Sequence, residues 1–294
     1  MAAKFFRLCV LAFGVAVAMP SAAQGAGTLY GTQGANNTTS NLLILNPANG
    51  ALVSTVGPIG FAVTGLAVNP LTGQLFGSTS QNSTNSPRSL IRIDKTTGAG
   101  TLVGSLGVAS QSAADITFTS DGTLYGWLEP DNDELYTINT ATGAATLVGA
   151  SGLNTNGSGL AANSANVLYY AGFDADGALD TINRFTGVPT TGPTMTGAPL
   201  PGESVSALAF SPAGVLYGVN LLGAAAHTAH LITIDTGTGA VTDLGTTVVA
   251  LDAIVFDAGA APVSTVVPTL SPSILAALAC LLLLAGAIAL HRRS

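Results

Sequence analysis

Residues 27–31 read GTLYG, and the same five letters return at 122–126, with GQLFG at 73–77, NVLYY at 166–170 and GVLYG at 214–218. The copies lie on average about 47 residues apart, the length of a β-propeller blade. Each is followed by a second element ending in D/N-x-x-T/N-G: LLILNPANG (42–50), LIRIDKTTG (90–98), LYTINTATG (135–143), LDTINRFTG (179–187) and LITIDTGTG (231–239). A third follows at once, ALVSTVG (51–57), TLVGSLG (101–107), ATLVG (145–149) and AVTDLG (240–245), with PTTGPTM (189–195) as the weak copy. The fourth element is GLAVNP (65–70), DITFTS (115–120), GLAANS (159–164), ALAFSP (207–212) and AIVFDA (253–258). Four short strands repeated five times predict an all-β, five-bladed β-propeller over residues 24–260. A β-solenoid is the alternative, but its rungs are usually much shorter.

The residue types agree with blades packed on both sides. In the second element Leu42, Leu90, Leu135, Leu179 and Leu231 stand three places before Leu45, Ile93, Ile138, Ile182 and Ile234. Odd spacing puts the two sets on opposite faces of a strand. The D/N-x-x-T/N-G step reads as a hairpin turn, with the Asp or Asn capping its own backbone and Gly50, Gly98, Gly143, Gly187 and Gly239 taking positive φ. The repeat begins on a GTLYG strand but ends on LDAIVFD (251–257), the type of strand that should precede it. Pairing of 251–257 beside Leu29 to Thr32 would complete one blade from both ends and remove two open sheet edges.

Only 8% of the 294 residues are charged and 48% are hydrophobic, and part of that hydrophobicity sits at the ends. Lys4 and Arg7, the apolar run Leu8–Met19, Pro20 and Ser21-Ala22-Ala23 form a secretory signal peptide over 1–23. Cys9 leaves with it and lies outside any lipobox. Ile274 to Leu290 carries neither charge nor Pro, and predicts a short transmembrane helix. Arg292 and Arg293 after it place the C-terminus in the cytoplasm by the positive-inside rule, in a tail of residues 291–294. Residues 261–273 are a linker, and Cys280 lies within the apolar span, so the exported body has no disulfide. The body carries four basic residues, Arg88, Arg92, Lys95 and Arg184, against all fifteen acidic ones, a balance that repels nucleic acid.

Sites should show as departures from the repeat. The loops between first and second elements vary most, and blades three and four carry the acids Glu129, Asp131, Asp133, Glu134, Asp174, Asp176 and Asp180. Asp180 stands where the other copies have Leu43, Ile91, Tyr136 and Ile232. Clustered carboxylate oxygens suit a hard cation, so Asp174, Asp176 and Asp180 are candidate Ca²⁺ ligands, although DADGALD is not an EF-hand loop. The alternative is a solvated acidic loop. Trp127 either packs between blades or stacks on a sugar or peptide. His227 and His230 lack a nearby third ligand. No G-x-S-x-G elbow, H-E-x-x-H helix, P-loop or Rossmann fingerprint occurs. A non-enzymatic surface or extracellular-matrix role is therefore expected, binding protein or glycan through one loop face. A hydrolase or lyase with its site in the central channel is the rival.

The tail Val267-Pro268-Thr269-Leu270-Ser271, followed by the apolar span and Arg292-Arg293, resembles the IPTL-CTERM sorting signal, one of the PEP-CTERM-like tails of Gram-negative bacteria. Val267 replaces the family's usual Ile, and Pro272-Ser273 its common Glu-Trp. The repeats resemble those of bacterial exported propeller proteins of unassigned function. The tail implies transient anchoring in the inner membrane, recognition and cleavage by an exosortase-type protease, and delivery to the cell surface.

Overall fold

A computed structural model describes residues 27–33, 39–129, 132–155, 157–172, 177–197, 205–222 and 228–259. The expected signal peptide (1–23), the linker with the expected sorting motif (261–273), and the apolar span of 274–290 lie outside the described residues. So do Asp131, Asp174, Asp176 and His227. Among the described residues no helix is long and apolar enough to cross a membrane.

The described chain folds into strands β1 (Thr28–Gln33), β2 (Asn41–Leu45), β3 (Leu52–Pro58), β4 (Val63–Val68), β5 (Leu75–Thr79), β6 (Ser89–Ile93), β7 (Gly100–Ser105), β8 (Ser112–Phe118), β9 (Leu124–Glu129) and β10 (Glu134–Ile138). The series continues with β11 (Ala145–Ala150), β12 (Gly159–Ala162), β13 (Leu168–Ala171), β14 (Asp180–Ile182), β15 (Pro189–Thr190), β16 (Val205–Phe210), β17 (Leu216–Leu222), β18 (Thr228–Ile234), β19 (Val241–Thr246) and β20 (Leu251–Asp257). They form five antiparallel four-stranded sheets, β20-β1-β2-β3, β4-β5-β6-β7, β8-β9-β10-β11, β12-β13-β14-β15 and β16-β17-β18-β19. The fold is a five-bladed β-propeller. Its innermost strands touch in the cyclic order β20, β4, β8, β12, β16 and back to β20. Blade 1 is closed as the repeat pattern predicts, with Leu29 opposite Phe256 and Gly31 opposite Ile254.

Blade packing follows from the two-faced second element. Leu42, Leu90, Leu135, Leu179 and Leu231 are all at most 1% exposed, and each packs into the cluster shared with the following blade. Leu45, Ile93, Ile138, Ile182 and Ile234 pack into the cluster shared with the preceding one. Five apolar interfaces therefore replace a single central core. Trp127 belongs to the interface of blades 3 and 4, where it is fully buried with its ring centroid 4.4 Å from that of Tyr170. This is the packing alternative, and it leaves no face free to stack on a sugar.

The hairpin turns are capped as expected. Oδ1 of Asn46, Asp94, Asn139, Asn183 and Asp235 accepts the N–H two residues on at 2.7–3.0 Å. The closing glycine donates to the same residue's carbonyl at 2.8 Å, with φ between 72° and 80°. A second glycine requirement lies on the outer strand of the preceding blade. A Cβ on Gly104 would stand 2.0 Å from the carbonyl oxygen of Thr142, and the same holds for Gly149 against Thr186. The outer strand of one blade thus runs directly against the turn of the next.

Candidate functional site at the mouth of the central channel

In each blade the inner strand starts, and the strand beside it ends, on one face of the disc. The described strand ends that lead into the variable segments lie on this loop face, and the capped turns lie on the other. Where inner strands β20, β4, β8 and β16 reach the loop face, the ladder is interrupted by a one-residue bulge at Asp252, Thr64, Ala114 and Ser206 respectively. Ser158, just before β12, occupies the equivalent place in blade 4. Bulges re-aim a side chain out of the pleat. Here they bring the four bulge residues to the mouth of one channel. A cavity of about 190 Å³ at this mouth is lined by Thr64, Ala114, Ser206 and Asp252 from the bulges, with Glu129 and Gly157 beside them. The opposite end of the channel has no carboxylate in its lining among the described residues, where Leu66, Ile116, Leu208 and Phe256 stand instead.

Glu129 ends β9 and is 8% exposed, so it is no solvated loop acid. Its carboxylate accepts the Gly157 N–H at 2.6 Å and the Ser158 hydroxyl at 3.2 Å. Burial pushes its pKa up to about 7 against those donors, and neighbouring Asp133 adds to the rise. Asp252 is ringed by protein but partly accessible to water, and it has no hydrogen-bond partner among the described residues. Burial, with the Glu129 charge second, pushes its pKa up to about 7. No described Lys, Arg or His contributes to either shift. Arg88 reaches this rim only through Gln81, donating to its Oε1 at 3.2 Å. Lys95 and Arg184 are paired elsewhere, with Asp257 at 2.7 Å and Asp121 at 3.4 Å.

Beneath the mouth lies a carboxylate with a different task. Asp115, 1% exposed, accepts its neighbour Ile116's N–H at 2.9 Å and those of Leu160 and Leu208, on β12 and β16, at 3.0 and 3.2 Å. Burial holds its pKa well above the usual carboxylate range, opposed by these three donors and reinforced by Asp252. Beside it a buried network joins blades 3 and 4. Asp133 accepts the N–H and hydroxyl of Thr155, and Thr155 and Ser158 both meet the Tyr170 hydroxyl, at 2.6 and 3.0 Å. These groups hold Glu129's partners in place.

Asp180 is buried and sits on β14 opposite Tyr170. In the other blades that pair is Gly31–Leu43, Gly77–Ile91, Gly126–Tyr136 and Gly218–Ile232. Blade 4 has therefore exchanged small for large on one strand and large for small on the next. Asp180 also accepts the Gly192 N–H at 3.1 Å. This supplies a packing reason for the departure of Asp180, whereas Asp174 and Asp176 lie outside the described residues. Among the described residues no three His, Cys, Asp or Glu side chains come together to hold a metal ion. His230 pairs with Asp243 at 3.0 Å.

Asp115 and Asp252 escaped the reading of the sequence. The repeat did carry a signal for them. Asp115 takes the place of Gly65, Gly159, Ala207 and Ala253, and Asp252 that of Thr64, Ala114, Ser158 and Ser206.

No protein-family model matches the chain, and no curated protein matches it. Solved structures do. A chain of the nidogen/laminin complex is 13% identical with a TM-score of 0.50, over 79% of this chain and 98% of that one. A Bacteroides caccae protein of unknown function is 12% identical with a TM-score of 0.45, again over 79% and 98%. Myxococcus xanthus glutaminyl cyclase is 15% identical with a TM-score of 0.43, over 73% and 78%. Likeness at such identity is likeness of fold and assigns no role.

Proposed function

We propose that this chain is an exported cell-surface or extracellular-matrix propeller that binds a ligand at the loop-face mouth of its channel and does not transform it. The observation that carries this reading is a polar cavity to which all five blades contribute, with the Asp252 carboxylate at its wall and without a hydrogen-bond partner among the described residues. It opens on the face where the repeats differ most, which is where a repeat protein diversifies for recognition. The signal peptide and the resemblance of the tail at Val267–Ser271, with Arg292 and Arg293, support export, inner-membrane anchoring and processing by an exosortase-type protease.

The rise of Glu129 and Asp252 to about 7 favours a second reading, a channel hydrolase or lyase using them as general acid and base. Binding is the stronger reading because no described cation faces the carboxylates, so an anion formed there would meet only like charge. Incubation of the full chain with glycan and peptide arrays, and with glycan, lactone and ester substrates, separates the two. Retention without turnover, lost in Asp252→Asn, is expected, and turnover lost in the same variant would replace binding by catalysis. Intact-mass measurement of membrane and surface fractions tests the tail. A surface form shorter than the chain through Ser294 is expected, and a full-length mass in every fraction would overturn cleavage.

A further inference from the structure

We propose that the group received at the channel mouth is a primary ammonium, held between Asp252 and Glu129 with Ser206 as third acceptor. This inference rests on the binding reading above. Its first support is the acceptor set. An ammonium presents three N–H donors and no acceptor. The cavity offers the Asp252 carboxylate, the lone pairs that Glu129 has not given to Gly157 and Ser158, and the Ser206 oxygen.

Ser206 is the independent observation. It is 2% exposed, it lines the cavity, and its hydroxyl oxygen has no hydrogen-bond partner among the described residues. The equivalent residues in blades 2 and 4 are satisfied, Thr64 by the Ala113 carbonyl at 2.8 Å and Ser158 by Glu129 and Tyr170. A buried hydroxyl without a partner costs free energy unless a ligand or water meets it.

Size and charge narrow the class. The cavity of about 190 Å³ is smaller than the roughly 300–1,000 Å³ of a site that encloses a drug-sized ligand. It therefore takes the end of a larger molecule, such as a lysine side chain or an amino-bearing sugar, whose remainder lies on the loop face. A hard divalent ion asks for six to eight oxygen ligands. Among the described residues two carboxylates line the cavity, and one already accepts hydrogen bonds from Gly157 and Ser158. The titratable groups acting on the pair are Asp133 on Glu129, Glu129 on Asp252, and Asp115 below, which itself feels Asp252. All are acids, so a cation that enters displaces protons from the mouth.

The test is calorimetric titration of the full chain with n-butylammonium chloride at pH 7, in phosphate and in HEPES to count released protons. One saturable site with proton release is expected. Affinity should fall about 10- to 100-fold in Asp252→Asn, the loss of a charge-assisted hydrogen bond, and by a smaller factor in Ser206→Ala. Thermal unfolding confirms that both variants fold. Equal binding of tetramethylammonium, which has no N–H, would overturn the proposal. So would unchanged affinity in folded Asp252→Asn, or binding of CaCl₂ in place of the amine. An amine-free array ligand lost in Asp252→Asn would overturn the ammonium and leave the binding reading standing, whereas absence of any ligand sensitive to Asp252 would overturn both.

Discussion

The carboxylate of Asp115 accepts the backbone N–H of Leu208 at 3.2 Å across 93 positions of sequence. The same oxygen accepts from Leu160 at 3.0 Å, so one side chain on blade 3 ties down the inner strands of blades 4 and 5. Asparagine keeps the shape but replaces that oxygen, or its mate, by an N–H₂ group, leaving buried donors facing donors. Each orphaned buried donor costs about 1–3 kcal/mol. Asp115→Asn should therefore destabilise the propeller by about 2–5 kcal/mol in urea unfolding. A change below about 0.5 kcal/mol would mean the tie is not part of the stability of the ring.

Stability should fall, not rise, between pH 5 and pH 8. A carboxyl whose pKa is raised on folding stabilises the folded state while protonated. That contribution is complete below the ordinary value near 4 and is lost as pH climbs through the folded value, about 7 for both Glu129 and Asp252. The slope is at most about 1.4 kcal/mol per pH unit for each group, with the smaller share from Asp252, which water reaches. Melting temperatures across this range, and their flattening in Glu129→Gln and Asp252→Asn, provide the measurement.

Gly104 and Gly107 separate steric from conformational demand. A Cβ at Gly104 would meet the Thr142 carbonyl at 2.0 Å, a backbone atom that cannot step aside, while one at Gly107 meets nothing within 4 Å and faces only a φ of 76°. Gly104→Ala should cost about 3 kcal/mol, at the upper end for overpacking, and Gly107→Ala about 1 kcal/mol. Denaturant midpoints of the two variants give the order, and the reverse order would refute the contact between outer strand and turn.

Trp127 should matter to stability and not to ligand capture. It is fully buried against Tyr170, so Trp127→Ala should lower stability by about 3–5 kcal/mol. Trp127→Phe, which keeps a ring at the interface, should lose less and retain binding to whatever the arrays identify. Loss of binding in a well-folded Trp127→Phe would reopen the stacking role.

Much of the architecture could be read before any coordinate because blades repeat. Spacing of GTLYG-type elements, Leu three places before Ile, and Asp or Asn four places before Gly are local patterns, and local patterns dictate strands, faces and turns. Five-fold recurrence then fixes blade number, and the unmatched strand at 251–257 foretells closure through Leu29–Phe256. The site was less legible. Glu129 and Asp133 read as members of one acidic loop, yet Glu129 ends a strand facing the channel and Asp133 is buried against Thr155.

What the sequence by itself determined, then, is the repeating blade and the order of its strands, since hydrophobic period and turn chemistry act within a few residues. Which side chains meet at the channel was decided only by closing the ring. Asp252, Ser206 and Glu129 come from blades 1, 5 and 3 and share no local pattern. They line one cavity because the inner strands converge on one axis, where burial withdraws water from the carboxylates and lets each feel the others' charge.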